Sequence, residues 1–184
     1  MARYAMVIDL RDCVRCRTCY VACKFRNKLP VGKVNGKECY RLGFIEEEIG
    51  KYPDVKRPFF PVHCNHCDNP TCLKACPVGA ISKNEQGVVV TDKKKCIGGG
   101  ACVEACPYEA RYINEDVGAV DSCDFCFSRG MKPSCLELCP SQCMYFGDLD
   151  DPSSKVTKLV ASGKAKPLKP EAGTKPNVYY IDRQ

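Results

Sequence analysis

The chain has 184 residues and a formal net charge of +6; only 9% of it is aromatic and it contains no Trp. That length makes one ordinary domain or two small ones, and so few large side chains exclude an extensive hydrophobic core. No stretch is apolar over the length needed to cross a bilayer, which excludes a membrane span.

Seventeen residues are cysteine, and all but Cys39 and Cys143 fall into four runs with ligand spacing. Tyr4 to Leu10 reads as a strand with Met6, Ile8 and Leu10 on one face. It leads into the first run, Cys13-x2-Cys16-x2-Cys19-x3-Cys23, where Thr18 to Phe25 is helix-like. Residues 31–54, with Gly32, Gly36, Gly43 and Gly50 around Glu46, Glu47 and Glu48, read as a surface insertion that carries Cys39.

The second run is Cys64-x2-Cys67-x4-Cys72-x3-Cys76-Pro77, with a short helix expected over Cys72 to Ala75. Gly87 followed by Val88, Val89 and Val90 is a strand signal. In the third run, Cys96-Ile-Gly-Gly-Gly-Ala-Cys102-x3-Cys106-Pro107, Gly99 stands where a second cysteine belongs. Ala110 to Asn114 reads as a further strand, and the fourth run is Cys123-x2-Cys126-x8-Cys135-x3-Cys139-Pro140. From Asp151 to Gln184 the chain is rich in Lys and Pro and reads as an extended C-terminal tail, with one late strand-like patch at Val178 to Ile181.

Disulfides do not explain this pattern. The cysteine count is odd, no apolar signal segment precedes Cys13, and each run brings too many sulfurs onto one loop for mutual pairing. Zinc uses C-x2-C pairs but rarely four consecutive thiolates ending in Cys-Pro, which is the ferredoxin pattern of iron-sulfur proteins. Each cluster with its thiolates carries roughly two negative charges, so four of them would turn the formal +6 into about −2. Lys93, Lys94 and Lys95 beside Cys96 then read as local compensation or a solvated face, and no nucleic-acid partner is expected. Gly98-Gly99-Gly100 is a cluster loop, since no strand precedes it and no Lys/Ser helix start follows. His63 and His66 do not make a Rieske centre, because every cysteine of that run is present.

In a two-cluster ferredoxin the first three cysteines of a run hold one cluster and the fourth crosses to the other. The short segment Val78 to Lys95 lets the two middle runs pair as an inner unit, so the outer runs pair across it. Sequential pairing is the alternative, and it would place a long loop inside a compact module. The expected fold is α+β: two ferredoxin-like modules, one nested in the other. Residues 1–30 plus 113–150 form the outer module, 31–54 the insertion, 55–112 the inner module and 151–184 the tail.

On this pairing Cys13, Cys16, Cys19 and Cys139 hold one 4Fe-4S cluster, and Cys23, Cys123, Cys126 and Cys135 a second. Cys64, Cys67, Cys72 and Cys106 hold a third. Cys76, Cys96 and Cys102 remain for the fourth site, where Gly99 offers no donor and the expected cluster is 3Fe-4S, the alternative being a labile fourth iron bound by water or a nearby side chain. Cys139 is preferred to Cys143 because it alone has the three-residue spacer and the following proline; Cys39 and Cys143 are expected to be buried thiols.

These motifs, with Arg3-Tyr-Ala-Met-Val-Ile-Asp, Cys64-Asn-His-Cys-Asp-Asn-Pro-Thr-Cys, Ala105-Cys-Pro-Tyr-Glu-Ala-Arg-Tyr and Phe146-Gly-Asp-Leu-Asp-Asp-Pro, resemble the four-cluster electron-transfer subunit of the DMSO reductase (molybdopterin oxidoreductase) family, especially the polysulfide and thiosulfate reductase branch. The resemblance implies a non-catalytic relay of single electrons between a molybdenum or tungsten bis-pterin catalytic subunit and an integral membrane quinone-reactive subunit. It supports the nested pairing. Gly99 departs from the polysulfide branch, which has cysteine there; the nitrate reductase subunit has tryptophan and a 3Fe-4S centre. The chain would be membrane-associated through its partners, on the extracytoplasmic face if co-exported with the catalytic subunit, or cytoplasmic otherwise. The alternative function is a soluble polyferredoxin serving a hydrogenase or formate dehydrogenase.

Overall fold

The protein is described by a computed structural model covering residues 2–30, 33–34 and 37–182. Of the expected insertion, Val31, Gly32, Asn35 and Gly36 lie outside the described residues. Strand β1 (Tyr4–Asp9) leads through a cysteine loop into helix α1 (Thr18–Asn27). A small hairpin, β2 (Lys33–Val34) and β3 (Lys37–Glu38), precedes β4 (Leu42–Glu46), which pairs antiparallel with β5 (Phe59–His63). Helix α2 (Thr71–Lys74) lies in the second cysteine run, and the hairpin β6 (Ile81–Lys83) and β7 (Val89–Thr91) follows. Helix α3 (Ala101–Glu104) repeats this placement in the third run, followed by the hairpin β8 (Arg111–Asn114) and β9 (Ala119–Ser122). Helix α4 (Ser134–Glu137) lies in the fourth run; β10 (Met144–Asp148), α5 (Lys155–Ala161), β11 (Lys166–Pro167) and β12 (Val178–Ile181) complete the chain.

This is a mixed α+β arrangement of short elements. Helices α2, α3 and α4 have four residues each, too few for propensity alone to sustain. They are held by packing, α1 against α4 and α2 against α3. Helix α1 stops at Lys28, a left-handed residue whose N–H bonds back to the carbonyls of Lys24 and Phe25, and Pro30 prevents continuation.

The central sheet has the order β10-β1-β12-β11. Met6 and Ile8 on one face of β1 enter the core that contains Cys19, Cys23, Cys135 and Cys143, as the alternation predicts. Ala5 and Val7 on the opposite face lie against Val156 of α5, Ala165 and Ile181, so β1 is buried on both sides.

Residues 151–182 differ from the expected extended tail. Strand β12 lies inside the sheet, parallel to β1, in register from Met6 with Val178 to Asp9 with Ile181. Val178, Tyr180 and Ile181 are buried. Preceding residues stitch the segment to the second cysteine loop: Asp68 N–H donates to Lys175 O at 2.8 Å, Asn69 N–H to Thr174 O at 3.0 Å, and Asn177 N–H to Asn65 O at 2.8 Å. The Asn177 side chain donates to His66 O and to Asp68 Oδ1, each at 2.8 Å. Backbone and amide hydrogen bonds, not apolar periodicity, fold this segment, so a Lys- and Pro-rich composition concealed it. The expected insertion likewise contributes β4, whose Leu42 is buried in the core.

Candidate metal-sulfur sites

No disulfide joins any of the cysteines. Among the described residues, no three His, Cys, Asp or Glu side chains are grouped to hold a single metal ion. The thiols instead gather into sets whose mutual electrostatics can be followed one at a time.

Cys23, Cys123, Cys126 and Cys135 line one small pocket, together with Met6 and Phe125. They come from α1, the loop after β9, and α4. Burial pushes the Cys23 thiol up to about 11, with Cys126 adding to the effect, and raises Cys123 and Cys135 further. Burial pushes Cys19 up to about 12, and its neighbours Cys13, Cys139 and Cys16 also act upward. Burial pushes Cys64 up to about 12 and Cys67 up to about 11; Cys72 and Cys106 raise both. Cys102 is raised by burial and by Cys72 and Cys96, while Cys76 packs against the same core. Buried thiols that repel one another are a poor environment for uncompensated thiolates and a good one for a polynuclear cation core.

Two expected ligands are held low instead. At Cys76 the backbone N–H groups of Ala80, Val78, Ile81 and Gly79 outweigh a small burial effect; Ala80 N–H donates to the sulfur at 3.2 Å. At Cys139 burial is outweighed by Ser141 and Cys143, and the Cys143 sulfur lies 3.6 Å away. Burial pushes Cys143 up to about 12. Cys39 is buried, as expected.

The loops also aim backbone donors at sulfur. His66 and Phe125 have φ of 44° and 50°, which costs a non-glycine residue about 1–2 kcal/mol. In return, their N–H groups bond to the Cys64 and Cys123 thiols. The two side chains, each one residue before the second cysteine of its run, pack with ring centroids 3.9 Å apart and planes tilted by 42°. Both histidines are neutral: burial pulls His63 down to about 4 and His66 well below its ordinary value. His63 Nδ1 lies 2.9 Å from Cys64 O, and His66 Nδ1 accepts from Val89 N–H at 3.1 Å.

Sequence spacing does not reveal the charged groups around these thiols. Arg41 reaches from the expected insertion to Asp121, with Nε and Nη2 each 3.0 Å from a carboxylate oxygen, and to Asp124 at 2.9 Å. It also lines the Cys23 cavity. Tyr112 donates to Asp121 at 3.1 Å. Arg41→Ala would leave two carboxylates uncompensated beside the cavity and is expected to destabilise the iron-loaded protein by about 3–5 kcal/mol. Denaturant unfolding followed by cluster absorbance checks this, and Arg41→Lys should recover only part of the loss because it lacks the planar fork.

Residues 55–149 match the 4Fe-4S dicluster domain family. The chain is 42% identical over 188 residues to the tetrathionate reductase B subunit of Salmonella typhimurium, covering 97% of this chain and 72% of that protein. It is 39% identical over 215 residues to the selenate reductase B subunit of Mesobacillus selenatarsenatis, covering 97% and 72%. It is 34% identical over 230 residues to the arsenate respiratory reductase iron-sulfur subunit ArrB of Shewanella sp., covering 97% and 96%. The chain belongs to the family of iron-sulfur electron-transfer subunits, the B subunits of molybdopterin oxidoreductases. Such a protein relays electrons within a reductase complex that includes a catalytic partner. Among the described residues no helix is long and apolar enough to cross a membrane.

Proposed function

We propose that the chain is a non-catalytic relay with three 4Fe-4S clusters and one 3Fe-4S cluster, held by the four cysteine sets in nested pairing. The observation that carries this reading is the single cavity lined by Cys23, Cys123, Cys126 and Cys135, thiols drawn from both ends of the chain. Packing of α1 on α4 and of α2 on α3 supports an outer module of 1–30 plus 113–150 around an inner module of 55–112. When bound, the clusters supply one-electron carriers. The polypeptide's part is to bind them, to exclude water with residues such as Phe125 and Leu42, and to set their potentials through N–H donors like that of Ala80. Cys16 is exposed, and Cys13, Cys76, Cys96 and Cys106 are partly so, which leaves several cluster sites near the surface for exchange with partners.

The partners in this proposal are a molybdenum or tungsten bis-pterin catalytic subunit and an integral membrane quinone-reactive subunit, with the complex on the extracytoplasmic face. The names of the relatives, each a subunit of a reductase for a small oxyanion, support a partner of that class. Purification of the native complex with metal analysis tests it. Iron, acid-labile sulfide and molybdenum or tungsten in a large co-purifying chain are expected; a nickel-iron partner or an iron-free subunit overturns the proposal.

A further inference from the structure

Arg111 lies on β8 inside the inner module and is 4% exposed. Its guanidinium has no carboxylate within salt-bridge distance among the described residues. Nη1 donates to Thr91 Oγ1 at 3.2 Å and points at Cys102 Sγ at 3.9 Å. Nε and Nη2 are buried with no hydrogen-bond partner among the described residues. The groups that face its charge are thiols, those of Cys64, Cys72, Cys102 and Cys106.

The contrast with Arg41 is informative. Arg41 is also buried beside a thiol set, but Asp121 and Asp124 neutralise it. A guanidinium cannot shed its proton inside a protein, so a buried one without a carboxylate requires another anion and acceptors for its remaining donors. Cys64, Cys72 and Cys106 belong to one proposed cluster set and Cys102 to the next, so the side chain stands between the two. The donor geometry suits sulfur anions: a planar fork with two N–H-bearing nitrogens still unused.

We propose that Arg111 is a positioning residue shared by the two inner clusters, donating hydrogen bonds to their sulfur atoms and supplying the positive charge that holds both at higher potential. This rests on the cluster assignment proposed above. Each electron that enters an inner cluster adds one negative charge, and a fixed cation stabilises the reduced form more than the oxidised form. The same cation serves both clusters, so the second of the two electrons meets a charge already partly compensated. The outer set at Cys23 draws no such benefit from Arg41, since that cation is already paired with Asp121 and Asp124.

The test is EPR-monitored potentiometry of all the clusters in the native complex, with iron counted in the same samples, for wild type, Arg111→Gln and Arg111→Lys. With native iron content, Arg111→Gln is expected to lower both inner reduction equilibria by at least tenfold, about 59 mV for a one-electron couple, while leaving the outer couples in place. Arg111→Lys, which keeps the charge, should recover most of that shift. Unchanged inner potentials in an Arg111→Gln complex with full iron content overturn the inference and leave the relay proposal standing. If Arg111→Gln loses the inner iron, Arg111→Lys decides: retention of both inner clusters near native potential supports the charge role, and their loss assigns Arg111 to packing and overturns it. A wild-type sample without iron refutes the cluster assignment itself.

Discussion

Removal of iron under reducing, anaerobic conditions is expected to abolish cooperative unfolding of residues 55–112 and to expose most of their backbone amides to rapid hydrogen exchange. Four of the nine buried members of the inner core are cysteines, whereas in the outer core it is four of fourteen. The apolar cluster of Ala5, Val7, Val156, Ala165 and Ile181 contains none. A domain keeps a net stability of only about 5–15 kcal/mol, and structural metal–thiolate sites contribute on that scale. The inner module should therefore lose protection first and most completely, with slower exchange surviving around β1 and α5. An iron-free chain that unfolds cooperatively at the native midpoint would refute this.

The pH dependence of cluster insertion extends the same test. Ligands bind iron as thiolates, so insertion releases protons and becomes more favourable as pH rises until the free thiols are already ionised. In an unfolded apo-chain that rise ends near the ordinary thiol value of 9.0; if native burial persists, it continues toward 12 at Cys19 and Cys64. In linkage terms, these raised values add stability to a folded apo-protein below pH 9.0, and that stability is lost as pH climbs to about 12. A plateau near 9 would thus identify an apo-chain without its native core.

Local chemistry was legible in the sequence, and strand pairing between distant segments was not. The spacing of Cys13 to Cys23 marks a loop and helix because ligand reach is set over a few residues, and α1 starts at Thr18 as expected but runs past Phe25 to Asn27. The alternation of Met6 and Ile8 marked one face of β1, but not that Ala5 and Val7 are equally buried, because α5 comes from a polar segment far along the chain. Strand β12 shows only a short apolar patch, and nothing in it names β1 as its parallel neighbour. Neither Arg41 nor Arg111 is set apart by the cysteine spacing. Their importance comes from burial and from partners such as Asp121, eighty positions from Arg41. Positive φ at Phe125 was also hidden, since phenylalanine does not signal a left-handed turn, and at His66 only the modest enrichment of histidine there hints at it.

Gly99→Cys is expected to convert the proposed 3Fe-4S centre into 4Fe-4S, adding one iron per chain and eliminating the EPR signal of the oxidised three-iron form. The backbone permits it: Gly99 is not in the left-handed region, and a Cβ there meets only Ile97 side-chain carbons at 3.7 Å, an ordinary contact. The neighbouring glycines do not offer that freedom. Gly98 has φ +69° with Gly118 O 2.9 Å from any added Cβ, and Gly100 has φ +78° at the start of α3. Cysteine at either position is expected to destabilise the loop without completing the fourth site, which makes both variants controls for the added thiol alone. A fourth thiolate adds negative charge to the site and should lower its potential, because the oxidised form of the centre is then favoured. The shift should exceed the loss in Arg111→Gln, since a full anionic ligand bonds directly to iron whereas Arg111 acts from outside the core. If wild-type protein already contains four complete cubanes, the vacancy assigned to Gly99 is wrong, and Gly99→Cys would then leave both iron content and spectrum as they were.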